Sequence, residues 1–339
     1  MSFIVDLMYD RENWVSVLSE IGSYDFVHTH DFHRLSQLNE EGEPVLFVVR
    51  SDQGAVHACW PLLRRKIPDT DLCDLTSVYG YAGPIFSKSA APDDCIDLML
   101  SKMKDENNVA VFSRMHPIFI GDIANETSRG VRLSDVVVIP VSQTENVTSS
   151  YRGSHRREIS AAYKAGVDVV VDHGIESLEK FVSIYQGAML GLGASNYYFF
   201  NKEYFENLCA AEDFKVLIIS AKLNDQFMAS SLFIITGSIM QYYLSGSVAE
   251  FKKLAPSKVI LAKAHEVAIS LGCSFLILGG GVGSKQDALY KFKQGFSSLS
   301  MPFYVKKVVL DAERYEDLVR ATGNAGSDDA FFPLYRRFI

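Results

Sequence analysis

The chain has 339 residues, of which 48% are hydrophobic and 22% charged, and its formal net charge is −8. That balance fits a soluble globular protein of two medium domains, with ample material for a core. No apolar run reaches the roughly 18–20 residues a membrane helix needs, and the acidic start Met1–Asp6 does not read as a secretory signal. Five scattered cysteines without a C-x-x-C pair support neither a zinc nor a redox motif and predict a reducing, cytoplasmic setting.

Taken in chain order, Val45–Val49, His57–Leu63 and Leu72–Val78 read as strands. The loop Tyr79–Pro84, an amphipathic helix from about Pro92 to Lys104 and the strand Val109–Phe112 follow. A second region opens with a helix over Ser154–Ala165, closed by Gly166, and a strand over Val167–Val171. Helices over Glu176–Leu190 and Lys202–Ala210 flank the aromatic cluster Tyr197-Tyr-Phe-Phe200. Strands at Phe214–Ala221, Met228–Ile235 and Ile239–Leu244 lead through the loop Ser245–Pro256 to a helix over Ser257–Leu271. Ser257 is its expected N-cap and Gly272 its left-handed C′ residue. The strand Phe275–Leu278 comes next. The order β-β-β-α-β thus occurs twice, which predicts an α/β protein with mixed sheets and a domain boundary near residue 145. The aromatic and basic Phe331–Ile339 is expected to dock onto the body.

Charge is segregated along this order. Between Phe251 and Lys307 stand nine lysines (Lys252, Lys253, Lys258, Lys263, Lys285, Lys291, Lys293, Lys306, Lys307) against Glu266 and Asp287. Such a tract predicts an anionic, phosphate-bearing ligand, because like charges repel unless something negative sits among them. Arg156 and Arg157 stand at a helix start, where an anion on the open amides makes two cations favourable. They are candidate phosphate or carboxylate contacts, with pairing to Glu158 or a distant acid as the alternative. Lys252 and Lys253, beside the helix from Ser257, repeat that logic.

Asp287–Phe296 reads as a helix whose Leu289, Phe292 and Phe296 face the core. Tyr290 and Lys293 are i, i+3 neighbours that could protonate a leaving group and stabilise an oxyanion. Lys291 has a simpler explanation in an i, i+4 pair with Asp287. Gly279-Gly-Gly-Val-Gly283 fails the G-x-G-x-x-G dinucleotide pattern and suits a close passage of backbone beside a ligand. His28-Thr-His-Asp-Phe-His33 lies on a helix start, where three histidines rarely converge on one ion, so no metal is expected. No Ser-His-Asp or Cys-His spacing supports a covalent intermediate.

In combination and order, these segments resemble the FemABX-like acyltransferases of the GNAT superfamily. Asp74-Leu-Thr-Ser-Val-Tyr-Gly-Tyr-Ala-Gly-Pro84 resembles a first-domain loop of that group, and Ser154–Gly166 its basic helix at the domain junction. Tyr242-Tyr-Leu-Ser-Gly246, the helix after Ser257 and Leu289–Phe296 resemble its second domain. The resemblance spans roughly residues 25–305. It implies two tandem GNAT-like domains, here 1–145 and 146–339, the second carrying the main cleft. It further implies transfer of an acyl or aminoacyl group to an amine, without an enzyme nucleophile. The donor would be an acyl-thioester (acyl-CoA or acyl-carrier protein) or an aminoacyl-tRNA. Lys293, with Tyr290 and Tyr243, would be catalytic. Arg156, Arg157, Tyr79, Tyr81, Lys252, Lys253 and Ser257 would bind substrate.

The sequence departs from the group in two places. Phe251-Lys-Lys-Leu-Ala-Pro256 stands where other GNAT enzymes carry the acetyl-CoA loop [QR]-x-x-G-x-[GA], and the long coiled-coil arm of some tRNA-dependent members is missing. The expected acceptor is a nucleotide- or lipid-linked sugar of the cell envelope or of a surface polysaccharide. A tRNA acceptor stem and a peripheral contact with the membrane are further expected partners, and DNA is not. Two rivals remain open: a tRNA-dependent peptidoglycan bridge transferase, and a non-catalytic module that only holds an anionic ligand.

Overall fold

The computed structural model describes residues 2–142, 147–195, 198–324, 326 and 331–337. The boundary expected near residue 145, and Tyr197 of the aromatic cluster, lie outside the described residues. The chain forms two compact units: unit 1 is Met1–Leu133 with Pro302–Ile339, and unit 2 is Ser134–Met301. A single cut therefore does not describe it, because the last 38 residues return to the first unit.

Unit 1 contains β1 (Phe3–Met8), α1 (Arg11–Ile21), α2 (His30–Leu38), β2 (Glu43–Ser51), β3 (Val56–Lys66), β4 (Cys73–Thr76), β5 (Ile85–Phe86), α3 (Pro92–Asp105), β6 (Asn108–Arg114) and α4 (Glu126–Arg129). β7 (Val131–Pro140) carries the chain into unit 2, which adds α5 (Gly153–Lys164), β8 (Asp168–Asp172), α6 (Ile175–Leu192) and α7 (Lys202–Cys209). Then come β9 (Lys215–Leu223), β10 (Gln226–Thr236), β11 (Ile239–Ser247), α8 (Pro256–Ser270), β12 (Phe275–Gly279) and α9 (Ala288–Lys293). β13 (Ser300–Val309) and α10 (Ala312–Ala321) bring the chain back to unit 1.

In unit 1 the strand order is β1-β2-β3-β4-β6-β13, with β5 on β3; only β4 and β6 are parallel. α3 begins with Pro92 at its first turn and buries Cys95, Ile96, Met99 and Met103, a 3–4 spacing that puts one apolar stripe on the sheet. The C-terminal segment docks as expected over its described residues. Asp74, fully buried, accepts from Arg65 Nε at 2.8 Å, from the Tyr335 hydroxyl at 3.1 Å and from Arg336 Nε. A buried carboxylate needs such partners, so this contact holds the tail. The histidines of His28–His33 also serve this core: His28 Nδ1 meets the Asp25 backbone at 3.1 Å and His33 Nδ1 the Thr29 carbonyl at 2.9 Å.

Unit 2 has the order β7-β12-β11-β10-β9-β8, with β11 and β12 its parallel pair. α8 packs on β9 and β10, while α6 packs on β10 and β11. Gly246 in β11 exists for that second contact: a Cβ there would lie 2.7 Å from the Ile184 carbonyl and 2.8 Å from Tyr185 Cα. α8 starts at Pro256, one residue before the expected N-cap. Ala255 holds the cap position with φ +48°, and Ser257 lies inside the first turn. At the far end Gly272 has φ +70°, as the stop signal requires.

Candidate active site

α9 is short and is held from both ends. Asp287 caps it, its carboxylate accepting from the Tyr290 amide at 2.9 Å and the Val282 amide at 3.1 Å. The carboxylate so used caps the helix in place of the expected pair with Lys291, which is exposed. Six residues give too little helical periodicity to assign a face. Leu289, expected in the core, is 39% exposed, whereas Phe296 is fully buried.

The last residue of α9, Lys293, is only 8% exposed. Its Nζ donates to the Gly280 carbonyl at 2.7 Å and lies 5.9 Å from the centroid of the Tyr242 ring. Gly280 follows β12, and Tyr242 belongs to β11. Those strands pair only over Ile239–Gln241 and Phe275–Ile277. Past that point Gly279 remains opposite Val137 of β7, while β11 continues along β10. The two strands part, and Lys293 touches both lips of the opening.

Burial lowers the Lys293 pKa to about 8, with the Asp287 carboxylate acting in the opposite sense. At neutral pH the ammonium form still prevails by about tenfold. With one proton on Gly280, the ammonium keeps two further donors.

A β-bulge sits on the other lip. Leu232 faces Leu244 and Phe233 faces Tyr242, so Tyr243 is the extra residue. It turns toward α7, its hydroxyl 2.6 Å from that of Tyr204, whose ring stacks on Phe200 at 4.2 Å. Tyr242 is therefore the tyrosine over Lys293, a residue the sequence did not single out. Strand alternation shows no trace of a bulge, so adjacent tyrosines cannot be told apart in advance. Tyr290 is buried, and its hydroxyl donates to Ser300 Oγ at 3.0 Å.

Arg156 and Arg157 are exposed on α5. Arg156 Nη1 donates to the Ser149 carbonyl at 3.0 Å and borders a shallow groove of about 490 Å³, with Tyr163 and Lys164 on its wall. Arg157 borders a neighbouring hollow of about 340 Å³ with Ser160 and Lys164. Glu158, the alternative partner for these arginines, is bound instead to Lys258 at 2.7 Å. Lys252 and Lys253 are exposed on the 3-10 helix Ala249–Leu254, against which α5 packs. Four of the expected cations thus come from adjoining elements.

The lysine tract as a whole does not form one pocket. Lys306 and Lys307 belong to β13 in unit 1, where Lys306 donates to the Thr127 and Ser128 carbonyls. Lys263 pairs with Glu266 at 3.0 Å. Charge per residue of sequence could not separate these from the cations of α5, the 3-10 helix and α9. Tyr79 and Tyr81 lie in unit 1, on the loop after β4. The Tyr81 ring meets Phe303 edge-on at 5.3 Å.

Residues 149–293 match the model of the Acetyltransferase (GNAT) domain. The matched segment lies within unit 2. No curated protein matches the sequence. Among solved structures the fold is similar to FemX, at 14% identity and TM-score 0.67, over 93% of this chain and 99% of that one. It is also similar to the C-terminal domain of a putative lysylphosphatidylglycerol synthetase from Agrobacterium fabrum, at 12% identity and TM-score 0.55, over 92% and 97%. A tandem GNAT protein from the clavulanic acid pathway aligns at 8% identity and TM-score 0.52, over 90% and 98%. These likenesses establish the fold, mixed α/β with GNAT-like units in tandem. Among the described residues no helix is long and apolar enough to cross a membrane. Within the GNAT domain, the parted strands β11 and β12 and the buried Lys293 form its most distinctive chemistry.

Proposed function

We propose that the GNAT domain transfers an acyl or aminoacyl group to the amine of a sugar-linked precursor of the cell envelope or of a surface polysaccharide. The reaction runs in one ternary complex in the cytoplasm. One observation carries the reading: Lys293 is buried at the parting of β11 and β12 with donors to spare.

In this reading the neutral acceptor nitrogen attacks the donor carbonyl carbon, and the carbonyl π electrons move to oxygen. Lys293 donates a hydrogen bond to that oxyanion. The intermediate collapses, the C–S or C–O bond to the donor breaks, and the amide forms. The proton lost by nitrogen ends on the departing thiolate or alkoxide. Arg156 and Arg157 hold the acceptor's phosphates, and Lys252 and Lys253, ahead of α8, hold those of the donor. Ser257, in the first turn of α8, would join them through its amide and hydroxyl.

The donor is an acyl-thioester or an aminoacyl-tRNA, whose acceptor stem would lie on the same cations. The second donor draws support from the fold relative named as the C-terminal domain of a putative lysylphosphatidylglycerol synthetase. A lipid-linked acceptor would bring the protein to the membrane surface. A thermal-shift comparison of coenzyme A thioesters, aminoacyl-tRNA mimics and UDP-sugars tests this. A ligand at 100 times its dissociation constant adds about 2.7 kcal/mol. Loss of product after RNase treatment would select the tRNA donor. Lys293→Ala should lower turnover about 100- to 1000-fold; equal turnover would remove the assignment, whereas a module that only binds would show no turnover and keep its ligand affinity in the variant.

A further inference from the structure

Lys293 ends a helix of six residues, too short to hold its own last turn in place. Two hydrogen bonds from the start of α5 do so. His155 Nε2 lies 3.0 Å from the Phe292 carbonyl, and the Arg152 amide donates to the Gly295 carbonyl at 2.8 Å. The carbonyl can only accept, so Nε2 carries a proton. Nδ1 is buried and has no hydrogen-bond partner among the described residues.

The imidazole packs edge-on to Phe296 at 4.7 Å and lies over Gly295. A Cβ on Gly295 would come within 2.1 Å of His155 Nε2, so only glycine leaves room for the ring. Burial lowers the His155 pKa, opposed by the Phe292 carbonyl and by Glu158, while Lys258 and Arg152 lower it further. The ring is accordingly neutral at pH 7. Around Lys293 the charged neighbour is Asp287.

We infer that His155 is a positioning residue for Lys293: together with the Arg152 amide it ties the end of α9 to the start of α5. The helix that presents Arg156 and Arg157 and the helix that presents Lys293 then move as one body. This inference rests on the proposed role of Lys293 for its effect on turnover, but the tie itself can be read without turnover.

The test is competitive acetylation of Lys293 by acetic anhydride across pH, read by peptide mass spectrometry on the full chain. In the wild type the labelling midpoint should lie near 8. His155→Phe removes the donor, and Gly295→Ala displaces the ring. Each should admit water to Lys293 and raise the midpoint by at least one pH unit, toward the ordinary lysine value. His155→Asn, whose amide can still donate to the carbonyl, should stay nearer the wild type. A wild-type midpoint in either folded variant overturns the inference. Should both variants fail to fold, amide exchange in the wild type decides: Arg152 and Gln294 must open at a common rate, and separate rates overturn the tie. Activity that survives Lys293→Ala would refute the oxyanion role and leave the labelling result standing.

Discussion

A lysine whose burial lowers its pKa to about 8 sets two pH dependences at once. The unfolded chain holds the proton up to about pH 10.4, and the folded chain only to about 8. Between those values the unfolded state binds more protons, so stability rises with pH. Below pH 8 the buried charge costs the fold on the order of 3 kcal/mol. Lys293→Met should therefore raise the melting temperature at pH 7, with the gain fading above about pH 10, while turnover collapses. A variant no more stable than wild type at pH 7 would mean that the ammonium is better solvated than its surroundings suggest. Turnover of the wild type should fall on the alkaline side with an apparent pKa near 8, as the positive charge beside the oxyanion is lost.

At the scale of elements, the helices were largely legible. α3 announces itself by Pro92 and its apolar stripe, and α8 by Pro256 and Gly272. What was not legible is set by partners distant in sequence. The bulge that swaps the roles of Tyr242 and Tyr243 depends on the register of β10. β13 hides in a basic stretch because Lys306 finds its acceptors on α4. The start of α8 shifted by one residue because Pro256 suits the first helical turn, and Ala255 before it is left-handed. That backbone is unfavourable for a residue with a Cβ. Ala255→Gly should stabilise unit 2 by about 0.5–1 kcal/mol in urea denaturation, and a loss of stability would show the strain is absent. On α5, Arg156→Ala combined with Arg157→Ala should weaken binding of a phosphate-bearing acceptor and flatten its salt dependence. Lys293 labelling should stay unchanged, because neither side chain takes part in the tie to α9.

For the whole molecule, charge follows the two units. Between residues 134 and 301 fifteen bases balance fifteen acids, so the net −8 belongs to unit 1. This reframes the basic tract: its cations stand out against a neutral unit, and the acidic surplus lies elsewhere along the chain. Unit 1 depends on its tail through Asp74. Asp74→Ala would leave Arg65 and Arg336 without their carboxylate and should destabilise unit 1 by about 3 kcal/mol. Proteolysis should then cut near residues 331–337 before elsewhere; an unchanged digestion pattern would show that the tail is held by other contacts.

The return of β13 to β6 also governs how the protein is made. β6 ends at Arg114 and its neighbour starts at Ser300, so the ribosome must add nearly 190 residues before that edge can be covered. At about 5–20 residues per second this leaves an open strand on the nascent chain for roughly 10–40 s. Unit 2 can finish folding within that interval, and unit 1 cannot. A chain stopped at residue 133 should accordingly aggregate or recruit chaperones, and supplying the missing strand in trans should rescue it.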